Sequence, residues 1–145
     1  TEAPSDAPRS TSGAAAEVMR KIIAAQGGDP DVVDDLNKLP RAKSKLAVKA
    51  PKSGFVHGID AMEIGLTGVA LGAGRTRADQ DVNPAVGVML EKKQGDRVQK
   101  GETLAYLHVD ARKGTKPLLD RVAAAYQLGP RPPSVKPLVL DVIRR

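Results

Sequence analysis

The chain has 145 residues and no cysteine, which excludes disulfide frameworks and thiolate metal sites. Aromatic residues make up 2% against 41% hydrophobic, so a core has to be built from Val, Leu, Ile and Ala, with Phe55, Tyr106 and Tyr126 as its few large pieces. The formal net charge of +6 permits polyanion binding, but the charges are scattered and base-stacking aromatics are almost absent, so nucleic acid is not expected as a partner.

Taken in chain order, residues 1–13, "TEAPSDAPRSTSG", carry no apolar period and read as a disordered or linker-like end, such as a longer polypeptide leaves when cut. Residues 14–26, "AAAEVMRKIIAAQ", predict a helix with Val18, Met19, Ile22 and Ile23 on one stripe, stopped by Gly27 and Gly28. "DPDVVDDLNKLP" predicts a second, short helix, with Asp29 as cap, Pro30 in the first turn, Asp31 at the positive end and Pro40 closing it. Residues 14–40 thus form a helix–turn–helix connector with nothing of its own to bury the stripe. Helix N-terminal positions account for the acidic group Asp29, Asp31, Asp34 and Asp35, which lacks the ligand spacing of a calcium loop.

Beyond Pro40 the period changes. "KLAVKAPKSGFVHGI" alternates and is broken at Pro51 and Gly54, which predicts two strands or one bent strand. "DAMEIGLTGVALGAG" returns to helical spacing, with Asp60 as cap and Met62, Leu66, Val69 and Ala70 on one side. "AGRTRADQDVNP" is a loop. "AVGVMLEKKQGDRVQKGETLAYLHV" reads as two strands joined by a tight basic hairpin at Gln94, Gly95 and Asp96. "TKPLLDRVAAAYQLG" predicts a helix ended by Gly129, with Leu118, Leu119, Val122 and Tyr126 inward. "PRPPSVKP" is an extended linker, and "LVLDVI" a last strand. The order α-α, then β-β-α-β-β-α-β, is that of an α+β protein, with the main domain over 41–145.

Four constellations invite chemistry. "LGAGRTR" has the look of a phosphate loop, but its glycines follow a helix where phosphate cradles precede one, and Arg77 stands where a third Gly belongs. Gly72 and Gly74 therefore read as a helix stop, and Arg75 and Arg77 remain candidates to hold a carboxylate or phosphate across an interface. His57 and His108 fall in strands with no partner at metal-ligand or catalytic-triad spacing. Asp79 and Asp81 belong to a solvated turn. The pattern of residues 93–104 also occurs in biotinyl and lipoyl carriers, where the modified Lys lies eight positions before the Pro of "A-P-x-x-G". Lys43 has that spacing from Pro51, but Ala42 and Ser44 flank it, and the first barrel repeat is missing.

Taken together, "SGAAAEVMRKIIAAQGGDP", "APKSGFVHGIDAMEIGLTGVALGAGR" and "DVNPAVGVMLEKKQGDRVQKGETLAYLHV" resemble, in order and register, the C-terminal part of pyrimidine-nucleoside phosphorylases, including thymidine phosphorylases. The resemblance runs from Ser12 to at least Val109. It implies a hammerhead or barrel-sandwich-like sheet and a homodimer with N-terminal α and α/β domains, with inorganic phosphate as co-substrate and no cofactor. Because no stretch approaches ~20 apolar residues and no signal-peptide pattern opens the chain, a cytoplasmic location with no membrane partner is expected. Members of the family cleave pyrimidine nucleosides with phosphate, giving the free base and (deoxy)ribose 1-phosphate. Their Lys-x-Ser phosphate segment, phosphate loop and base-holding Arg, Ser and Lys find no match here, so no catalytic residue carries over. The resemblance implies a structural, cleft-closing part that is inert alone, with Gly72, Gly74, Arg75 and Arg77 in the candidate closure loop. The other reading open at this point is a stand-alone hammerhead module, either a carrier or a basic nucleic-acid binder.

Overall fold

A computed structural model describes residues 13–75, 77–134, 139 and 141–143. The expectation for the terminal linker falls almost wholly outside them. The chain divides into two compact units, Thr1–Pro40 and Arg41–Arg145.

In the first unit, helix α1 (Ala14–Ala25) ends where the sequence predicts. Gly27 takes φ +79° and the Gly28 N–H reaches back to the Ile23 carbonyl at 2.9 Å, satisfying an otherwise open helix end. The single short helix expected next is instead two 3-10 turns, Pro30–Val33 and Leu36–Lys38. Asp35 interrupts it: its carboxylate accepts from the Asn37 N–H at 2.9 Å and holds Asp35 in an extended conformation. The acidic group does more than cap. Arg20 donates to both oxygens of Asp34, at 2.6 and 3.1 Å, and Lys38 bridges Asp29 and Asp31, at 3.0 and 2.6 Å. These bonds hold the Asp34 and Asp29 carboxyls below their ordinary range. No residue of α1 or the two turns is buried.

The second unit is α+β. Its elements are β1 (Ser44–Lys49), β2 (Gly54–Ile59), α2 (Ala61–Gly68), β3 (Gly87–Leu90), β4 (Arg97–Val98), β5 (Thr103–Val109), α3 (Lys116–Ala125) and β6 (Tyr126–Gly129). They form two antiparallel three-stranded sheets, ordered β1-β5-β3 and β4-β2-β6, which share no strand and close no barrel. One core serves both: Val48, Leu104, Leu107 and Val109 from the first sheet, Val56 and Val98 from the second, and Val122 and Tyr126 from the α3–β6 stretch. A bulge at Leu104, where Val48 faces Ala105 but Lys49 faces Thr103, turns two consecutive side chains inward, and both are fully buried.

Four expectations are corrected. The strand pair over 90–109 is not a tight hairpin, because β3 pairs with β5 while residues 91–102 cross to the other sheet and contribute β4 to β2. Lys92 and Glu102, 2.6 Å apart, close the base of this excursion. The stretch 126–129 is strand, not helix end, because β2 offers it a backbone ladder from Phe55 to Ile59. Of the last expected strand, Leu138 and Leu140 lie outside the described residues, and Val139 and 141–143 are not in a strand. Of the three aromatics assigned to the core only Tyr126 is buried. Phe55 is half-buried, and Tyr106 lies on the outer face with Lys45 Nζ 3.6 Å above its ring.

Candidate functional site

The loop carrying Gly72, Gly74, Arg75 and Arg77 is built from α2 outward. Asp60 caps that helix as its position predicts, accepting from the Met62 and Glu63 N–H groups at 3.0 and 3.1 Å. Its buried side is Ile64 and Thr67, continued by Leu71, and not the side of Met62 and Leu66. Thr67 is fully buried at no polar cost, since its hydroxyl donates to the Glu63 carbonyl at 2.8 Å. Glu63 in turn pairs with Arg121 of α3, which holds α2 by its polar edge.

From Gly68 the helix runs into a π turn, Val69–Ala73, that ends because Gly72 takes φ +100°. Gly74 is needed for space: a Cβ there would lie 2.8 Å from Val69 Cγ2. The Asn83 N–H donates to the Gly72 carbonyl at 2.9 Å, so the two ends of the loop that starts here are joined.

Asn83 also anchors the loop. Its Nδ2 donates to Asp110 Oδ2 at 2.6 Å, its Oδ1 accepts from the Ala85 N–H, and Asp110 Oδ1 accepts from the Lys43 N–H at 3.1 Å. The loop base is thereby tied to the end of β5 and the start of β1. The Lys43 N–H, and secondly the Asn83 amide, hold the Asp110 carboxyl below its ordinary range. Beside this base lies a pocket of about 290 Å³, lined by Leu71, Asn83, Asp110, Lys113 and Thr115 among others.

The two arginines part company. Arg77 lies over Asp79, at 3.2 and 3.4 Å, both side chains well exposed. Arg75 is exposed at the near end of the loop and has no hydrogen-bond or ion-pair partner among the described residues. The local arrangement can therefore offer one uncommitted guanidinium on a tethered loop. Sequence reasoning missed Asn83 and Asp110, although the Asn-Pro pair at 83–84 is a turn signal.

The remaining candidates do not gather into a reaction centre. His57 Nε2 lies 2.8 Å from the Arg131 carbonyl, and His108 stands opposite Gly87 with its Nε2 buried and without a partner among the described residues. Among the described residues no three His, Asp or Glu side chains come together as metal ligands. Lys43 precedes β1 and does not sit at a hairpin tip, which is where a carrier lysine has to project. Lys92 and Glu102 are committed to each other, and their hydrogen bond raises the lysine's pKa and lowers the carboxylate's. No helix among the described residues is long and apolar enough to cross a membrane.

Fold and site together define a small α+β domain whose polar groups cap, tie and bridge its own segments. The family of pyrimidine nucleoside phosphorylase C-terminal domains matches residues 55–129, and the chain belongs to it. Pyrimidine-nucleoside phosphorylases of Staphylococcus aureus strains USA300, NCTC 8325 / PS 47 and COL are each 43% identical to it over 97 residues. That stretch is 67% of this chain and 22% of each relative, so the chain matches about a fifth of the length of the curated relatives.

Proposed function

We propose that this chain is the C-terminal portion of a pyrimidine-nucleoside phosphorylase acting on thymidine or uridine. In the whole enzyme a phosphate oxygen bonds to the anomeric carbon as the bond to the base nitrogen breaks. The products are the free pyrimidine and (deoxy)ribose 1-phosphate. The two small sheets are read as the hammerhead portion of that enzyme, a cytoplasmic homodimer whose nucleoside and phosphate sites lie in its preceding α and α/β domains.

The role assigned to this portion is to pack on those domains and bias the closing of their cleft. Closure matters to this chemistry because water competes with phosphate for the same carbon, and a closed site excludes it. The observation that carries the reading is the loop 72–83, fastened at its base through Asn83 and Asp110 and presenting Arg75 uncommitted. Such a loop can make a contact in one state of the cleft and release it in the other.

The test is a phosphorolysis assay on uridine and thymidine. The isolated chain is expected to be inactive. In the complete enzyme, Arg75→Ala is expected to lower turnover or weaken phosphate affinity by several-fold. Turnover by the isolated chain overturns the inert role, and unchanged kinetics in Arg75→Ala overturn the closure role.

A further inference from the structure

We infer that one side of α1, formed by Ala15, Val18, Met19, Ile22 and Ala25, is a docking surface for a helix of the polypeptide that precedes this chain in the whole enzyme. The inference rests on the proposed C-terminal place in a longer phosphorylase and names the contact that place requires.

At 3.6 residues per turn these five side chains cover an arc of about 120° that contains no charge. Glu17 and Arg20, the latter fixed to Asp34, lie on the far side. Lys21 flanks the arc at one edge and the half-buried Ile23 and Ala16 at the other, so of the predicted stripe Ile23 alone is partly covered. The five are all exposed, Val18 by 55%, Met19 by 51% and Ile22 by 46%. A helix of this length is marginal in water by itself, and its stability has to come from burying an apolar face. Among the described residues of the first unit none is buried in α1 or in either 3-10 turn and only a few are half-buried, so this exposed side needs cover from elsewhere.

The form of the surface selects a helix as occupant. Val18 and Ile22 make an i, i+4 ridge, and Ala15 and Ala25 lie beside it as low points, so another ridge can come close. The size selects an attached occupant. An α1 of 12 residues is about 18 Å long and about 10 Å across, a footprint on the order of 200 Å². Separate chains associate stably through about 800 Å² per partner. A surface this small holds only what is tethered at high effective concentration, and the relatives extend well beyond the 22% that this chain matches.

The test uses the 145-residue chain as it stands and a graft in which it replaces the corresponding C-terminal stretch of the Staphylococcus aureus enzyme. Val18→Glu and Ile22→Glu are compared with Lys21→Glu outside the arc. In the graft, each apolar-to-Glu change is expected to lower the melting midpoint by about 5 °C or more, and Lys21→Glu by about 1 °C. In the chain alone all three should shift it by no more than about 1 °C, and the α1 amides should exchange nearly as fast as in an unfolded peptide. Equal tolerance in both settings overturns the inference. So does destabilisation of the isolated chain, or a concentration-dependent dimer that Ile22→Glu dissociates. If the graft does not fold, exchange in the isolated chain decides: a slowly exchanging α1 overturns the inference and a rapidly exchanging one supports it. Phosphorolysis by the graft reads the proposed function separately. An inactive graft that loses stability with Ile22→Glu sinks the functional reading alone, and an active graft indifferent to Ile22→Glu sinks the docking alone.

Discussion

The side-chain amide of Asn83 donates to Asp110 at 2.6 Å, and this one bond joins the base of the 72–83 loop to the end of the central strand β5. That fastening is expected to limit opening of the loop. Asn83→Ala is expected to raise the rate of tryptic cleavage after Arg75 or Arg77 roughly five- to tenfold, with little change in the melting midpoint, since proteolysis follows the population of the opened loop. Equal cleavage rates in the two proteins would show that the fastening is irrelevant to loop opening.

The same bond carries a pH dependence. Asp110 has a depressed pKa in the folded chain, chiefly through the Lys43 N–H. An unfolded Asp titrates near ~3.9, so the contribution is complete above that value and is lost as pH falls through the lower folded value. The Asn83 side-chain amide resonances are expected to be invariant from neutrality down to about pH 4 and to move toward free-amide positions in more acid solution. In Asp110→Asn that acid transition should vanish.

Tyr126 links the same core to alkaline stability. Its hydroxyl donates to the Leu104 carbonyl at 2.8 Å, with the Lys92 carbonyl 3.2 Å away, and burial, then the charges of Asp96 and Glu91, push its pKa up to about 12. The unfolded phenol loses its proton near ~10, so stability is unaffected below that pH and falls as pH rises from about 10 to about 12. Tyr126→Phe should flatten this part of the denaturation profile. At neutral pH it should cost only about 0.5–1.5 kcal/mol, because the Leu104 carbonyl still accepts from the Glu91 and Lys92 N–H groups at 3.0 Å.

Two glycines where β2 meets β6, Gly54 and Gly129, should respond differently to the same substitution. A Cβ at Gly54 would lie 2.6 Å from the Gly129 carbonyl oxygen, and that backbone cannot move without parting the ladder. A Cβ at Gly129 would meet the His57 ring at 2.3 Å, but that ring is an exposed side chain free to swing off the Arg131 carbonyl. Chemical denaturation should show a loss of about 1–3 kcal/mol for Gly54→Ala and clearly less for Gly129→Ala. The reverse order would contradict the packing described for this sheet.

Helix α1 and the start of α2 were legible because their signals are local: Gly27 for the stop, Asp60 for the cap, and apolar spacing between. The alternation of β5 was legible for the same reason, since Ala105, Leu107 and Val109 follow each other every second residue into the core. The buried side of α2 was not. Its sequence is apolar on both sides, so spacing cannot choose between the Met62–Leu66 side and the Ile64–Thr67 side. Packing against β3 and α3 makes the choice. In the candidate site, Gly72, Gly74, Arg75 and Arg77 could be named from the chain, but Asp110, 27 residues from Asn83, could not.

What the sequence determined by itself was therefore what rests on neighbouring residues: caps, stops, turn glycines, strand alternation, and the ordered motifs that identify the family. Only the tertiary structure decided what rests on partners far along the chain. It made strand of 126–129, where helix-forming residues meet an open edge of β2. It drew residues 91–102 across to the second sheet, and it committed Arg77 to Asp79 while Arg75 has no such partner among the described residues. Local propensities amount to less than about 1 kcal/mol per residue. A ladder of backbone hydrogen bonds and a shared core outweigh them wherever the two disagree.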